Sequence, residues 1–453
     1  MNTVTADDTI AAIATAEGRA AVAVIRVSGP AAFAIAKRHA RQWPATERHA
    51  TLCTIRDHAG DVLDEALVTT FAAPASFTGE DVVEIATHGG AVVPTLVLAA
   101  LISSGARLAE PGEFTRRAVL NGKYDLVQAE AIGDLIDSRS RAMQRVAIAQ
   151  LDGGLSRRIN ELREEVINLE ALIAYDIDFP EEDDGPISRE RVEVATKKAV
   201  QSLTLLLETA PAGELVREGA LVVIAGAPNV GKSSLFNAIL GRSRAIVTEL
   251  PGTTRDAIEA VLETDSWPIR LVDTAGLRET SDVVEKMGIE VAGQYLGSAD
   301  VILACSDSVE GVRLTTEIVS RMSNAPVIPV QTKADLTTVP LGIDAVSAVS
   351  AVSAVTGSGI RELLNSIGAA ISSRHGQITP DAPILFRERQ RYCVELARNE
   401  LMTFQSAFAG AGLPISVAAV HLRSAVDALA DVTGTIDVEH VLDRLFRTFC
   451  VGK

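Results

Sequence analysis

Four cysteines in 453 residues, Cys53, Cys305, Cys393 and Cys450, are too few and too scattered to form a disulfide framework or a metal-ligand set. Three of them read as ordinary apolar fillers. No apolar run reaches the ~20 residues a membrane-spanning helix needs; the longest nearly apolar one, Val92 to Ile102, is interrupted by Pro94. Residues Met1 to Asp8 lack a basic region followed by an apolar core, so no secretory signal and a cytoplasmic location are expected. Positive charge is also scarce. With 42 Lys and Arg against 59 Asp and Glu, the formal charge of −17 argues against a broad non-specific nucleic-acid surface. Any RNA contact should be local or helped by a partner. The remaining composition, 47% hydrophobic and 22% charged, describes an ordinary globular chain long enough for about three domains.

The most informative segment runs from Gly226 to Ser233. It follows the apolar stretch Leu221–Ala225 and leads into Ser234–Leu240, so a strand, a glycine-rich turn and a helix start are written consecutively. Within Asn229-Val230-Gly231-Lys232-Ser233-Ser234, backbone N–H groups can converge on phosphates. Lys232 can reach the β and γ oxygens, and the Ser233 hydroxyl can ligate Mg²⁺. Three further elements follow in the order a guanine-nucleotide switch requires. The first is Gly252-Thr253-Thr254-Arg255-Asp256, where Thr254 can offer a hydroxyl to Mg²⁺ and an amide to the γ-phosphate. The second, Asp273-Thr274-Ala275-Gly276, follows the strand-like Ile269–Val272; Asp273 can hold Mg²⁺ through water and Gly276 can sense the γ-phosphate. The third, Thr332-Lys333-Ala334-Asp335, follows Val327–Val330, and the Asp335 carboxylate can accept the paired N–H groups of guanine. Binding of GTP or GDP with Mg²⁺ is the expectation.

Two departures stand out. Leu277 follows Gly276 and cannot orient an attacking water as a switch glutamine does, so hydrolysis needs another group. Thr332 stands where Asn is commoner, replacing an amide that ties this loop to the phosphate loop; the expected loss is about one hydrogen bond, on the order of 1 kcal/mol. A repeated Val-Ser-Ala pattern over Val346–Val355 blurs which Ser-Ala pair meets the base. Ser353-Ala354 is the expected pair, because Thr356–Gly359 and a helix follow it.

Residues 1 to about 123 alternate short strand-like runs (Ala21–Val27, Asp81–Ile85) with helix-like ones (Ala31–Ala40, Leu96–Ser103) and predict a compact α/β domain. From Asp125 to Asp178 the pattern is helical. Leu155, Ile159, Leu162, Val166, Leu169 and Ile173 form a heptad seam, read as packing within the chain rather than between chains. The acidic stretch Asp178–Pro186 ends that helix, and a second continues to about Ala210. Helix resumes after about Ser373 and ends in the apolar stripe Leu442, Leu445, Phe446 and Phe449. The expected segments are 1–123 (α/β), 124–216 (helical), 217–376 (a Ras-like P-loop GTPase domain with a parallel-rich sheet and helices on both faces) and 377–453 (helical). The GTPase domain is thus inserted in an all-α domain.

Taken together, the chain resembles the MnmE (TrmE) family of bacterial tRNA-modification GTPases. The resemblance rests on Arg26–Gly29, Ser76–Glu84, His88–Gly90, Pro111–Thr115, Leu120–Leu126, Gln128–Ile132, Asp176–Pro180, Asp273–Arg278 and the terminal Cys450-Val451-Gly452-Lys453. It implies a homodimer that works with a flavin- and NADH-dependent MnmG-like partner on tRNA. The pair adds a carboxymethylaminomethyl or aminomethyl group at C5 of the wobble uridine, with one carbon from 5-formyltetrahydrofolate or a related tetrahydrofolate. It also implies folate contacts at Arg26, Glu84, Lys123 and Lys453, making residues 1–123 a folate-binding and dimerisation domain. A potassium site is implied at Asn229, Thr248, Leu250 and Thr253, within the nucleotide-binding loop Thr248-Glu249-Leu250-Pro251-Gly252-Thr253. Glu285 matches the family's water-positioning glutamate, and Cys450 is a candidate reactive group beside the folate-held carbon. Potassium would answer the problem set by Leu277, and Lys232, Thr254 and Glu285 would carry the hydrolysis. Two other readings share the nucleotide elements: a ribosome-assembly or signalling GTPase without group transfer, and a folate-dependent one-carbon enzyme regulated by GTP. The first usually carries an appended basic RNA-binding domain, and the second would transfer carbon without a partner.

Overall fold

The structure, a computed structural model, describes residues 8–16, 18–178, 189–242, 258–264, 267–273, 295–336, 349–376, 382–409, 415–434 and 452. It divides into two compact units, residues 1–133 with 427–453, and residues 134–426.

The first unit is built on β1 (Ile10–Ile13), β2 (Val22–Ser28), α1 (Ala32–His39), β3 (Ala40–Arg41), β4 (Thr51–Arg56), β5 (Val62–Phe71), β6 (Val82–His88), α2 (Val93–Ser103), β7 (Arg107–Leu108) and α3 (Glu113–Leu120), with α4 (Leu126–Ile136) following. Its seven strands lie in the order β3-β4-β5-β6-β2-β1-β7. Neighbours are antiparallel except β1 and β7. Strict alternation divides the sheet into two faces. Ile25, Val27, Cys53, Ile55, Ala66, Val68, Val83 and Ile85 pack with Ile35 and Ala36 of α1 and Val97 and Leu101 of α2. The intervening positions, Arg26, Glu84, Leu52 and Leu67 among them, belong to the opposite face.

A charged network braces this unit at the start of α3. Glu113, 2% exposed, accepts from Arg107 Nη2 at 2.6 Å and from Arg117 Nη2 at 3.1 Å. Arg117, itself buried, also pairs with Asp8 and with Glu80. Burial alone would raise the Glu113 carboxyl, but the hydrogen bonds from Arg107 and the Glu110 amide and the charges of Arg107 and Arg117 outweigh it and hold the carboxyl below its usual range.

The second unit opens with α5 (Arg141–Leu151), whose N-cap Ser140 accepts from the Met143 amide at 3.1 Å, followed by α6 (Gly154–Asp178), α7 (Arg189–Leu207) and α8 (Ala210–Glu218). Each of the six seam residues of α6 is at most 2% exposed. The helix packs on α5 and α7 of the same chain, so the seam is filled from within. The sequence pattern predicted a helix to about Ala210; α7 ends close by, at Leu207, and a further helix, α8, follows it. Pro211 lies in the first turn of α8, where its missing N–H costs little, and Thr209 takes the N-cap position.

The nucleotide sheet follows: β8 (Ala220–Ala225), α9 (Lys232–Arg242), β9 (Ile258–Glu263), β10 (Pro268–Asp273), β11 (Val301–Ser306), α10 (Val309–Met322), β12 (Val327–Gln331), a single turn at Ala334–Leu336, β13 (Ser350–Ala351) and α11 (Ile360–His375). The order is β13-β12-β11-β8-β10-β9, parallel throughout except for β9 against β10. Every residue of β8 and β11 is buried, as expected for central parallel strands covered on both faces. One face packs on α9 and α11 and also on Met143, Val146, Leu215, Val216, Ile384 and Phe386, so the sheet and the helical body share one core. The other face meets Val319 of α10. Two long helices, α12 (Glu388–Ala409) and α13 (Ile415–Thr433), follow. No described helix is long and apolar enough to cross a membrane. The stripe at Leu442, Leu445, Phe446 and Phe449 lies outside the described residues.

Candidate functional site

β8 ends at Ala225 and α9 begins at Lys232, so the turn between them sits at the carboxyl edge of a parallel sheet, above a helix N-terminus. A Cβ added to Gly226 would fall on the carbonyl oxygen of Cys305 in β11, well inside contact distance, so the chain can pass there only without a side chain. Asn229 and Gly231 then take left-handed backbone angles, φ 62° and 95°. The Asn229 conformation costs roughly 1 kcal/mol and persists because neighbours hold it. Lys232 is 6% exposed, and its Nζ donates to the Ala227 carbonyl at 2.8 Å, closing the loop on itself. Ser233 and Ser234 are exposed in the first turn of α9. Asp273 is fully buried at the end of β10, where the Mg²⁺-organising carboxylate was expected. Cys305 lies near both charges: burial pushes its thiol up to about 12, with Lys232 opposing and Asp273 adding. That thiol is a packing group.

The loop after β12 is tied directly to the phosphate loop. Thr332, 3% exposed, is placed by a hydrogen bond from its backbone N–H to the Ser306 carbonyl at 2.8 Å, and its Oγ1 donates to the Val230 carbonyl. The hydrogen bond expected to be lost with Asn is therefore made by the hydroxyl, because Thr332 stands close enough for a short side chain to reach; a Cβ added to Gly231 would lie 3.7 Å from the Thr332 Cβ. Lys333 donates to the Asn229 carbonyl at 3.0 Å and pairs with Asp307 at 3.0 Å. Asp335 accepts from Ser353 Oγ at 2.6 Å, and the Ala334 amide donates to the Val352 carbonyl at 3.0 Å, so the loops after β12 and β13 are joined at Val352-Ser353. Asp307 has no motif to mark it. The available signal was a polar pair, Ser306-Asp307, ending a wholly apolar strand.

Thr248, Glu249, Leu250, Pro251, Gly252, Thr253, Thr254, Thr274, Ala275, Gly276, Leu277 and Glu285 lie outside the described residues, as do Cys450 and Lys453.

In the first unit, Arg26 and Glu84 are register partners on β2 and β6, and their side chains meet: Arg26 Nε and Nη2 both donate to Glu84 Oε1, at 3.0 and 2.7 Å. The guanidinium lies 5.0 Å from the Phe77 ring centroid and 5.7 Å from that of Phe114. Tyr124 extends the aromatic surface, its ring 5.9 Å from Phe77. Lys123 does not join the pair; its Nζ donates to the Pro74 carbonyl at 3.1 Å, on the loop that carries Phe77. At the other end of the chain, Gly452 is buried with φ 100°, and a Cβ there would lie 2.5 Å from the Ile13 carbonyl oxygen. The penultimate residue is thus at the end of β1, one position from Ala12, the register partner of Arg26.

Two family models match, the GTP-binding protein TrmE N-terminus over residues 9–123 and the MnmE helical domain over residues 126–450. The chain belongs to the MnmE family. Relatives named tRNA modification GTPase MnmE are 40% identical in Salinibacter ruber, covering 98% of this chain and 99% of the relative, and 41% identical in Akkermansia muciniphila, with the same coverage. Another in Azoarcus sp. is 42% identical over 98% of both chains. MnmE-family membership therefore extends across both units and the inserted nucleotide sheet. It gives the acid–aromatic cluster of the first unit and the phosphate loop of the second a place in one protein.

Proposed function

We propose that this chain is a cytoplasmic GTP-hydrolysing tRNA-modification enzyme. With a flavin-dependent MnmG-like partner, it adds a carboxymethylaminomethyl or aminomethyl group at C5 of the wobble uridine of certain tRNAs, the carbon coming from a tetrahydrofolate derivative. The observation that carries the reading is the direct bonding of the guanine-side loop, Thr332 and Lys333, to the phosphate loop at Val230 and Asn229. The segments 1–123, 124–216, 217–376 and 377–453 serve as its folate-binding and dimerisation, first helical, GTPase and second helical parts.

The phosphate loop fits a nucleoside triphosphate. Its backbone passes where no side chain fits, Lys232 supplies the charge for the β and γ oxygens, and Asp335, joined to Ser353, selects guanine. Mg²⁺ would be held by Ser233 and Thr254, with Asp273 acting through water, and would neutralise phosphate charge. Asn229 is exposed at the turn of the loop and, with Thr248, Leu250 and Thr253, would hold K⁺. Bound there, K⁺ would offset charge developing between the β- and γ-phosphates. Glu285 would orient the attacking water. In the first unit, the carboxylate of Glu84, the guanidinium of Arg26 and the rings around them suit a flat, hydrogen-bonding pterin. Lys123, Lys453 and Cys450 would complete that site. A GTPase without group transfer has no use for such a cluster.

A homodimer accounts for the exposed leucines at the β4–β5 end of the first sheet. Leu52 and Leu67 are register partners on β4 and β5, exposed by 60% and 46% on the face away from α1 and α2.

The test is GTP turnover by the purified chain in potassium and in sodium. Turnover should be fast in potassium and slow in sodium, and Asn229→Ala should lose the difference. Equal rates in the two salts would reject the potassium site, and no hydrolysis in either would reject the enzyme.

A further inference from the structure

Asp307 is absent from every motif above, yet it pairs with Lys333, which donates to the phosphate loop at Asn229. β11 lies between β8 and β12, and the three strands deliver their carboxyl ends side by side. Two successive carbonyls of the phosphate loop, Asn229 and Val230, accept from two successive residues of the next loop, Lys333 and Thr332. The first of these carbonyls belongs to a non-glycine residue in the left-handed region, and its donor, Lys333, is also left-handed, φ 53°. Two strained residues thus meet at one hydrogen bond, and a flexible lysine side chain makes it. An ammonium on a four-carbon stem loses much rotamer freedom when held in place. Asp307 supplies the hold: its Oδ2 is 3.0 Å from Lys333 Nζ. The hydrogen bond and charge of Lys333 in turn keep the Asp307 carboxyl below its ordinary range, so it is ionised at neutral pH. The ammonium is drawn between a carboxylate at the end of β11 and a carbonyl in the phosphate loop.

We infer that Asp307 is a positioning residue for nucleotide binding, acting through Lys333 to hold the phosphate loop in its strained form at Asn229. Asp307 need not touch the nucleotide. The inference rests on the nucleotide-binding reading of the loop and names a further residue on which its affinity depends.

Dissociation of mant-GDP from the full-length chain tests it, in the parent, Asp307→Asn, Asp307→Glu, Lys333→Ala and the Asp307→Asn/Lys333→Ala double variant, with thermal unfolding measured on each. The pair is partly exposed, so the expected effect is modest: Asp307→Asn should release mant-GDP about two- to five-fold faster, with little change in the unfolding temperature. Asp307→Glu should restore much of the loss. In the Lys333→Ala background Asp307→Asn should have no further effect, because its route to the loop is already gone. An Asp307→Asn rate equal to the parent's, or losses that add in the double variant, would overturn the inference while leaving nucleotide binding intact. A parent that binds no mant-GDP would overturn the nucleotide-binding reading and this inference with it.

Discussion

Replacing Thr332 by Val removes one hydroxyl at nearly constant volume, so it isolates the bond between the guanine-side loop and the phosphate loop. Thr332 is 3% exposed, and water has little access to replace its Oγ1 at the Val230 carbonyl. The cost combines one net hydrogen bond with an acceptor left poorly satisfied, about 1–2 kcal/mol in total. The bond is internal to the protein, so the loss is divided between stability of the fold and affinity for nucleotide. If all of it appeared in binding, affinity would fall by roughly 5- to 30-fold; if all appeared in stability, affinity would not change. Thermal unfolding without nucleotide and a mant-GDP titration, read together, give the sum. Two losses that together amount to less than about 0.3 kcal/mol would refute the claim that the hydroxyl ties the loops together.

Gly213 of α8 has no space for a side chain, since a Cβ would fall on the Leu385 carbonyl oxygen; Gly213→Ala should lower the urea stability of the second unit by about 1–3 kcal/mol, and a change under 0.5 kcal/mol would show that Leu385 yields freely. Acid should weaken the first unit through Glu113 and Asp8, whose carboxyls both lie below their ordinary values. Their stabilisation is fully present above the unfolded carboxyl values of about 4 and is lost as pH falls through the lower folded values. Glu113→Gln should therefore reduce stability at pH 7 and flatten the acid decline, followed by circular dichroism; an unchanged acid profile would mean that the Arg107 and Arg117 contacts contribute no net stabilisation.

Much of this architecture was legible because periodicity and motif order leave few alternatives. The seam from Leu155 to Ile173 specified one long helix with a buried stripe, and the strand–glycine–helix writing around Gly226 specified the carboxyl edge of a parallel sheet. Other features depend on contacts between residues far apart in the chain. The short helix α8 was not foreseen because Pro211 reads as the end of a helix as readily as it sits in a first helical turn. β4 and β5 were not among the runs singled out, since the outward-facing Leu52 and Leu67 break the apolar–polar alternation. The tie made by Thr332 depends on a close approach between the loops that follow β8 and β12, which no local pattern encodes, so the substitution for Asn looked like a loss. Asp307 was invisible for the same reason: its partner, Lys333, is brought near only by the sheet order. The meeting of Arg26 with Glu84 likewise follows from antiparallel register between β2 and β6.

The central claim joins GTP hydrolysis at the phosphate loop to modification of tRNA, and one measurement addresses both halves: mass analysis of nucleosides in bulk tRNA from a deletion strain carrying no copy, the parent chain, or Lys232→Ala. The deletion strain should lack the aminomethyl-type wobble uridine and the parent chain should restore it. Lys232→Ala should not, because it removes the phosphate-binding charge while leaving the acid–aromatic cluster at Arg26 and Glu84 unaltered. Normal levels of the modified nucleoside in the deletion strain, or full restoration by Lys232→Ala, would contradict the account.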